Sequence, residues 1–154
     1  MQLKVRGFEL VDDEFRVHKE KEINIPLRAS TGSAGYDIYT PEKFIIKPQE
    51  TKIIWTDIKA YMLDNEVLQV YIRSSIGIKK GLVLANGTGI IDKDYYSNPS
   101  NDGNIGVAIT NISKKTVEIN QNERIAQGLF INYLLTDNDN TKNKRIGGIG
   151  STGK

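Results

Sequence analysis

Short β-branched and aromatic runs, each closed within a few residues by Gly, Pro, Asn or Asp, leave this chain few options other than a β-sheet structure. Leu3, Val5 and Phe8 read as an opening strand. Phe44-Ile45-Ile46 runs into a Lys47-Pro48-Gln49-Glu50 turn, and Ile53 to Thr56 follow. Val67 to Ile72, Leu82 to Leu84, Ile105 to Ile109, Val117 with Ile119, and Ile125 to Leu135 complete the set. The spacing predicts an all-β sandwich or barrel. Helix is expected only at Ser74 to Lys80 and Met62 to Glu66. Ser97 to Gly103 reads as a polar loop, and Thr136 to Gly153 as a mobile tail without core periodicity.

A chain of 154 residues suits one domain, here 1–154, with 136–154 as its tail. With 38% hydrophobic and 26% charged residues spread along it, the composition is that of a soluble globular protein. A formal net charge of +2 argues against a nucleic-acid groove. The absence of cysteine excludes disulfides, thiolate metal sites and cysteine nucleophiles. No signal peptide is visible and no run approaches the roughly 18 apolar residues of a membrane span. A cytoplasmic protein with no membrane partner is expected. N-x-[ST] patterns at Asn86 and Asn111 are read as chance matches. The lone His18 is read as a surface residue.

Several segments carry chemistry-bearing side chains. Ala34-Gly35-Tyr36-Asp37 reads as a turn entering a strand. In Arg73-Ser74-Ser75, a serine at a helical start is ordinarily a cap, yet free N–H groups beside a guanidinium also suit an anion. From Asn86 to Tyr95, Asn-Gly and Thr-Gly signal a tight hairpin whose backbone groups could read a flat ligand edge. Asp92 follows two isoleucines, so a partly desolvated general base is one reading. With Asp94 it could equally be a turn residue or half of a metal site. Tyr95 is core packing or a platform for a sugar. In Arg124-Ile125-Ala126-Gln127, strand alternation puts Ile125 and Gln127 on one face. The tail segment 145–154 approximates a Walker A motif through Gly148, Gly153 and Lys154. No helix or Ser/Thr follows, so that reading is rejected, and a Gly-rich phosphate cradle or a terminal linker remains.

In this order, AGYD (34–37), RSS (73–75), the GIIDKDY segment with Asn86 (86–95), ERIAQ (123–127) and RIGGIGSTG (145–153) resemble the five motifs of the trimeric dUTPase family, from about Leu27 onward. The DYY followed by SNPSND is similar to forms from Gram-positive bacteria and their phages. The resemblance implies a jelly-roll-like β-fold. It also implies a homotrimer whose three sites each draw on all subunits, the tail of one subunit closing over a site formed mainly by the others. It implies hydrolysis of dUTP to dUMP and pyrophosphate with Mg²⁺. Asp92 would be the base, activating water against the α-phosphorus. Asn86, Gly89 and Ile91 would read uracil through the backbone, and Tyr95 would pack under deoxyribose and exclude a 2′-hydroxyl. Arg73, Ser74 and Ser75 would hold phosphates and Gln127 the α-phosphate region. Arg145, Gly150, Ser151 and Thr152 would close on the γ-phosphate. Asp37 would act near the metal's water shell or the subunit interface. Ile149 stands where the family usually has a Phe that stacks on uracil.

Two rival readings accompany this one. A dCTP deaminase of the same fold would need a glutamate near the cytosine amine, and none stands near the hairpin. A phage-type regulatory protein binding a repressor would use the SNPSND loop or Asp12–Glu22 as a contact surface for its protein partner.

Overall fold

The computed structural model describes residues 3–153; Met1, Gln2 and Lys154, and with Lys154 the end of the near-Walker pattern, lie outside the described residues. Its strands are β1 (Gly7–Leu10), β2 (Leu27–Arg28), β3 (Tyr36–Tyr39), β4 (Phe44–Ile46), β5 (Thr51–Trp55), β6 (Ile58–Tyr61), β7 (Glu66–Ile72), β8 (Leu82–Leu84), β9 (Gly89–Ile91), β10 (Gly106–Asn111), β11 (Val117–Ile119) and β12 (Arg124–Asn132). All pair antiparallel. One sheet runs β2-β3-β12-β7-β9, a second β5-β10-β8, and the pairs β1-β6 and β4-β11 complete the jelly-roll-like, all-β architecture.

Alternation does what a half-buried strand requires. In β10, Val107, Ile109 and Asn111 turn inward, and in β4 Phe44 and Ile46 are buried while Ile45 is exposed. Ile38, Ile46, Ile54, Leu68, Leu82, Ile109, Ile119 and Ile125 meet in one core between the sheets. Each such side chain contributes about 1.5–3 kcal/mol by leaving water. Asn111 is fully buried, and its amide bridges the Ile46 and Lys115 carbonyls at 2.9 and 2.8 Å. A residue so committed is not a glycan acceptor.

Several sequence expectations are corrected. Ser75–Lys79 is a single wide helical turn, but Met62 to Glu66 is not helical. There the Glu66 carboxylate accepts from the Leu63 N–H at 3.0 Å and the chain turns directly into β7. The Asn86-Gly87 turn does not close a hairpin. β8 pairs with β10 and β9 with β7, so the turn carries the chain from one sheet to the other, with Gly87 at φ +75°. In β12 a bulge between Arg124 and Ala126 breaks the alternation. Ile125 and Ala126 are both buried, and Arg124 and Gln127, not Ile125 and Gln127, share the side facing Asp37. The strand ends at Asn132, leaving Tyr133 to Leu135 exposed. His18 is no surface residue: its side chain is 9% exposed and its Nε2 lies 3.0 Å from the Trp55 carbonyl oxygen.

Candidate active site

Two recesses gather the motif residues, and they share no lining residue. The first, about 340 Å³, opens where β9 leaves its sheet. Asn86, Gly89, Ile90, Ile91, Asp92 and Tyr95 form one wall, Gly106 and Ala108 of β10 lie opposite, and Arg145, Ile149, Gly150 and Thr152 of the tail lie over it. Gly89 on one strand and Gly106 and Ala108 on the other are small, and Ile53, Ile90 and Ile91 add apolar surface. No glutamate lines this recess.

Tyr95 ends the short helical turn Lys93–Tyr95 and is buried. Its hydroxyl donates to the Asn104 carbonyl at 2.6 Å and accepts from Asn101 Nδ2 at 2.9 Å. Burial pushes its phenol up from the ordinary tyrosine value, with the Asn101 hydrogen bond and the Arg145 charge opposing. The phenol therefore stays neutral at physiological pH.

Asp92 is half exposed, not desolvated as the two preceding isoleucines suggested, because β9 ends at Ile91 and the chain turns outward there. Its carboxylate is met by Arg145 Nη2 at 2.6 Å, while Arg145 Nε reaches Asp94 at 2.8 Å. The two carboxylates thus hold one guanidinium between them. Among the described residues no three His, Cys, Asp or Glu side chains are grouped to hold an ion. The Arg145 side chain is 8% exposed, with its guanidinium 5.6 Å from the Tyr95 ring centroid. The Ser151 hydroxyl donates to the Gly147 carbonyl at 2.8 Å and closes the tail's last turn. A tail expected over another subunit's site lies here on the recess of its own chain. Ile149, 67% exposed, lines the recess without being covered.

The second recess, about 320 Å³, collects Gly35, Asp37, Arg73, Ser74, Ser75 and Gln127. Asp37 is buried, and its two oxygens are taken separately, by Arg73 Nε at 3.0 Å and Arg124 Nη1 at 3.2 Å. That arrangement fixes both guanidinium groups. A Cβ at Gly35 would fall 2.5 Å from the Gln127 amide oxygen, so any larger residue there would displace the Gln127 side chain. Ser74 makes no side-chain capping bond, and Ser74 and Ser75 are both exposed. The capping alternative is thereby removed, and two free hydroxyls stand beside a fixed cation.

Sequence reasoning missed Asn101, Asn104 and Arg124. The first two hold Tyr95 and the third holds Asp37. Three asparagines within seven residues, Asn98, Asn101 and Asn104, with Asp102 among them, were the available signal.

The comparisons with known proteins agree with this geometry. The family model described as dUTPase matches residues 21–153. The deoxyuridine 5'-triphosphate nucleotidohydrolase of Lactococcus lactis is 47% identical over 153 residues, covering 98% of this chain and 99% of that protein. The crystal structure of the dUTPase from Streptococcus mutans superposes with a TM-score of 0.74 at 40% identity, over 85% of this chain and 98% of that one. The dUTPase from phage phi11 of S. aureus, at 22% identity and a TM-score of 0.70 over 91% of this chain and 97% of that one, shares the fold. With its first recess built from Asn86 to Tyr95 and the family match running from residue 21 through the tail, the chain belongs to the dUTPase family.

Proposed function

We propose that the chain hydrolyses dUTP to dUMP and pyrophosphate. The observation that carries the reading is the first recess, where a backbone-lined slot, a buried tyrosine and an outward-facing carboxylate meet under the tail. Asn86, Gly89 and Ile91 would accept uracil through main-chain groups, with no room for a 5-methyl. Tyr95 would floor the deoxyribose. Asp92 would take the proton of the water that attacks the α-phosphorus. Arg145 bridges Asp92 and Asp94 in the free chain, and an arriving polyanion would draw the guanidinium away and release the base. Gly150, Ser151 and Thr152 would then close on the terminal phosphate.

Arg73, Ser74, Ser75 and Gln127 would supply a second set of phosphate ligands, with Asp37 paired to the Arg73 guanidinium. Their separation from the first recess supports a homotrimer in which recesses of different subunits combine. Mg²⁺ carried with the triphosphate would neutralise part of its charge, while Arg73, Ser74, Ser75 and the tail hold the phosphates. The side chains of both recesses fit that role, since they offer cations and hydroxyls to the phosphates and no cage for an ion.

The test is pyrophosphate release with Mg²⁺ from dUTP, dCTP, dTTP and UTP in parallel. Release from dUTP alone is expected. Release from none of them by the folded protein rejects the reading, and turnover of dCTP redirects it to deamination.

Ile149→Phe gives a sharper check on the tail. An aromatic ring over a base adds about 0.5–1.5 kcal/mol beyond simple burial. KM for dUTP is therefore expected to fall by roughly two- to tenfold with kcat retained. Unchanged KM and kcat would remove Ile149 from the lid.

A further inference from the structure

The polar loop between Tyr96 and Ile105 is not a solvent loop. Lys59 and Asp102 are each 6% exposed on their side chains and pair at 2.7 Å, and Asp102 also accepts from the Asp12 N–H at 2.8 Å. Inside this anchored loop the Asn101 amide is fixed at both ends. Its oxygen accepts from Asn98 Nδ2 at 2.7 Å and from the Gly103 N–H at 3.1 Å, and its nitrogen donates to the Tyr95 hydroxyl at 2.9 Å. On its other side the amide meets the tail. A Cβ added at Gly148 would come 3.1 Å from Asn101 Nδ2 and 3.3 Å from Ser100 Oγ.

We propose that Asn101 is a positioning residue for sugar selection: it pins the far end of the Tyr95 ring and passes the seating of the tail at Gly148 to that ring. Asn101 touches no substrate. It acts through the one hydroxyl that sets how far the ring can tilt beneath the sugar. Without that bond the ring keeps only its donation to the Asn104 carbonyl and can rock, opening space for a 2′-hydroxyl. This inference rests on the reading of the first recess as a dUTP site.

The readout is the ratio of kcat/KM for dUTP to that for UTP, since a merely structural asparagine would lower stability and leave the ratio alone. Asn101→Ala is expected to shrink the ratio by about five- to tenfold, the scale of one hydrogen bond. Tyr95→Phe, which keeps the ring and removes the hydroxyl, is expected to shrink it similarly. Adding Asn101→Ala to Tyr95→Phe is expected to shrink it no further. Should Asn101→Ala fail to fold, an unchanged ratio in Tyr95→Phe overturns the proposal, as does an equal further loss in the double variant. Gly148→Ala, which puts a methyl on the same amide, is expected to move the ratio in the same direction. A higher KM with the ratio unchanged would confine Gly148 to the tail and remove the coupling. Wild-type protein that releases pyrophosphate from dUTP while the ratio stays constant across these variants rejects the role of Asn101 alone. Wild-type protein inactive on dUTP rejects the dUTPase reading itself.

Discussion

Asp92→Asn is expected to bind the nucleotide and to lose turnover by roughly 10²–10⁴-fold, the range for a removed general base. The substitution is nearly isosteric, so the turn after β9 and the wall of the first recess should stay in place. The amide oxygen still accepts from Arg145, and Asp94 holds the same guanidinium at 2.8 Å, so the tail is not cut loose. What disappears is a group able to take a proton from water. Equilibrium binding of a non-hydrolysable imido analogue, beside single-turnover pyrophosphate release, separates the two effects. Tight binding with slow release supports the assignment. A near-normal kcat means that another group accepts the proton.

The second large effect concerns stability. Asp57 is fully buried at φ +56°, on the turn between β5 and β6. Its carboxylate accepts from the Val17 N–H at 2.9 Å, the His18 N–H at 2.7 Å and Asn104 Nδ2 at 2.9 Å, with Arg16 Nε 3.7 Å away. Asp57→Ala would leave the Val17 and His18 N–H groups and Asn104 Nδ2 without their acceptor, remove the carboxylate facing Arg16 and leave an alanine in a left-handed conformation that favours glycine. A loss of about 3–5 kcal/mol is expected, measurable as a lower urea midpoint. A loss below about 1 kcal/mol would show that the 11–22 segment is not held by this residue. Asn104 also accepts the Tyr95 hydroxyl, so the variant should handle the sugar poorly before it unfolds.

The regular parts of this molecule were readable because their signals are local. The strands at 44–46, 67–72, 82–84 and 105–109 announce themselves by β-branched runs, and all are present, shifted by a residue or two at their ends. Strand β6 was passed over because Lys59 sits within it. A lysine is buried there because Asp102, 43 residues later, and Asp12 neutralise it, and no local pattern carries that pairing. The Asn86-Gly87 turn was misread for the same reason, since its chemistry fits a hairpin and only the sheet assignments of β8 and β9 exclude one. At the site, the residues from Asn86 to Tyr95 and the tail were expected together and lie together, as do Asp37, Arg73, Ser74, Ser75 and Gln127. Their division into two places was beyond reach from spacing. So was Asn101, whose polar surroundings read as solvent exposure until Tyr95 is found beneath them.

Two recesses with no residue in common have a genetic consequence. In the proposed trimer, a chain damaged only at Asp92 still carries a sound Arg73 recess, and a chain damaged only at Arg73 still carries a sound Asp92 recess. Each damaged chain alone should give an inactive enzyme. Co-expressed, the two should rescue one another in part, because mixed assemblies would contain sites that draw both intact halves from different chains. Activity that returns on mixing would locate the boundary of the functional unit between subunits, and a mixture as inactive as its components would return that boundary to the single chain.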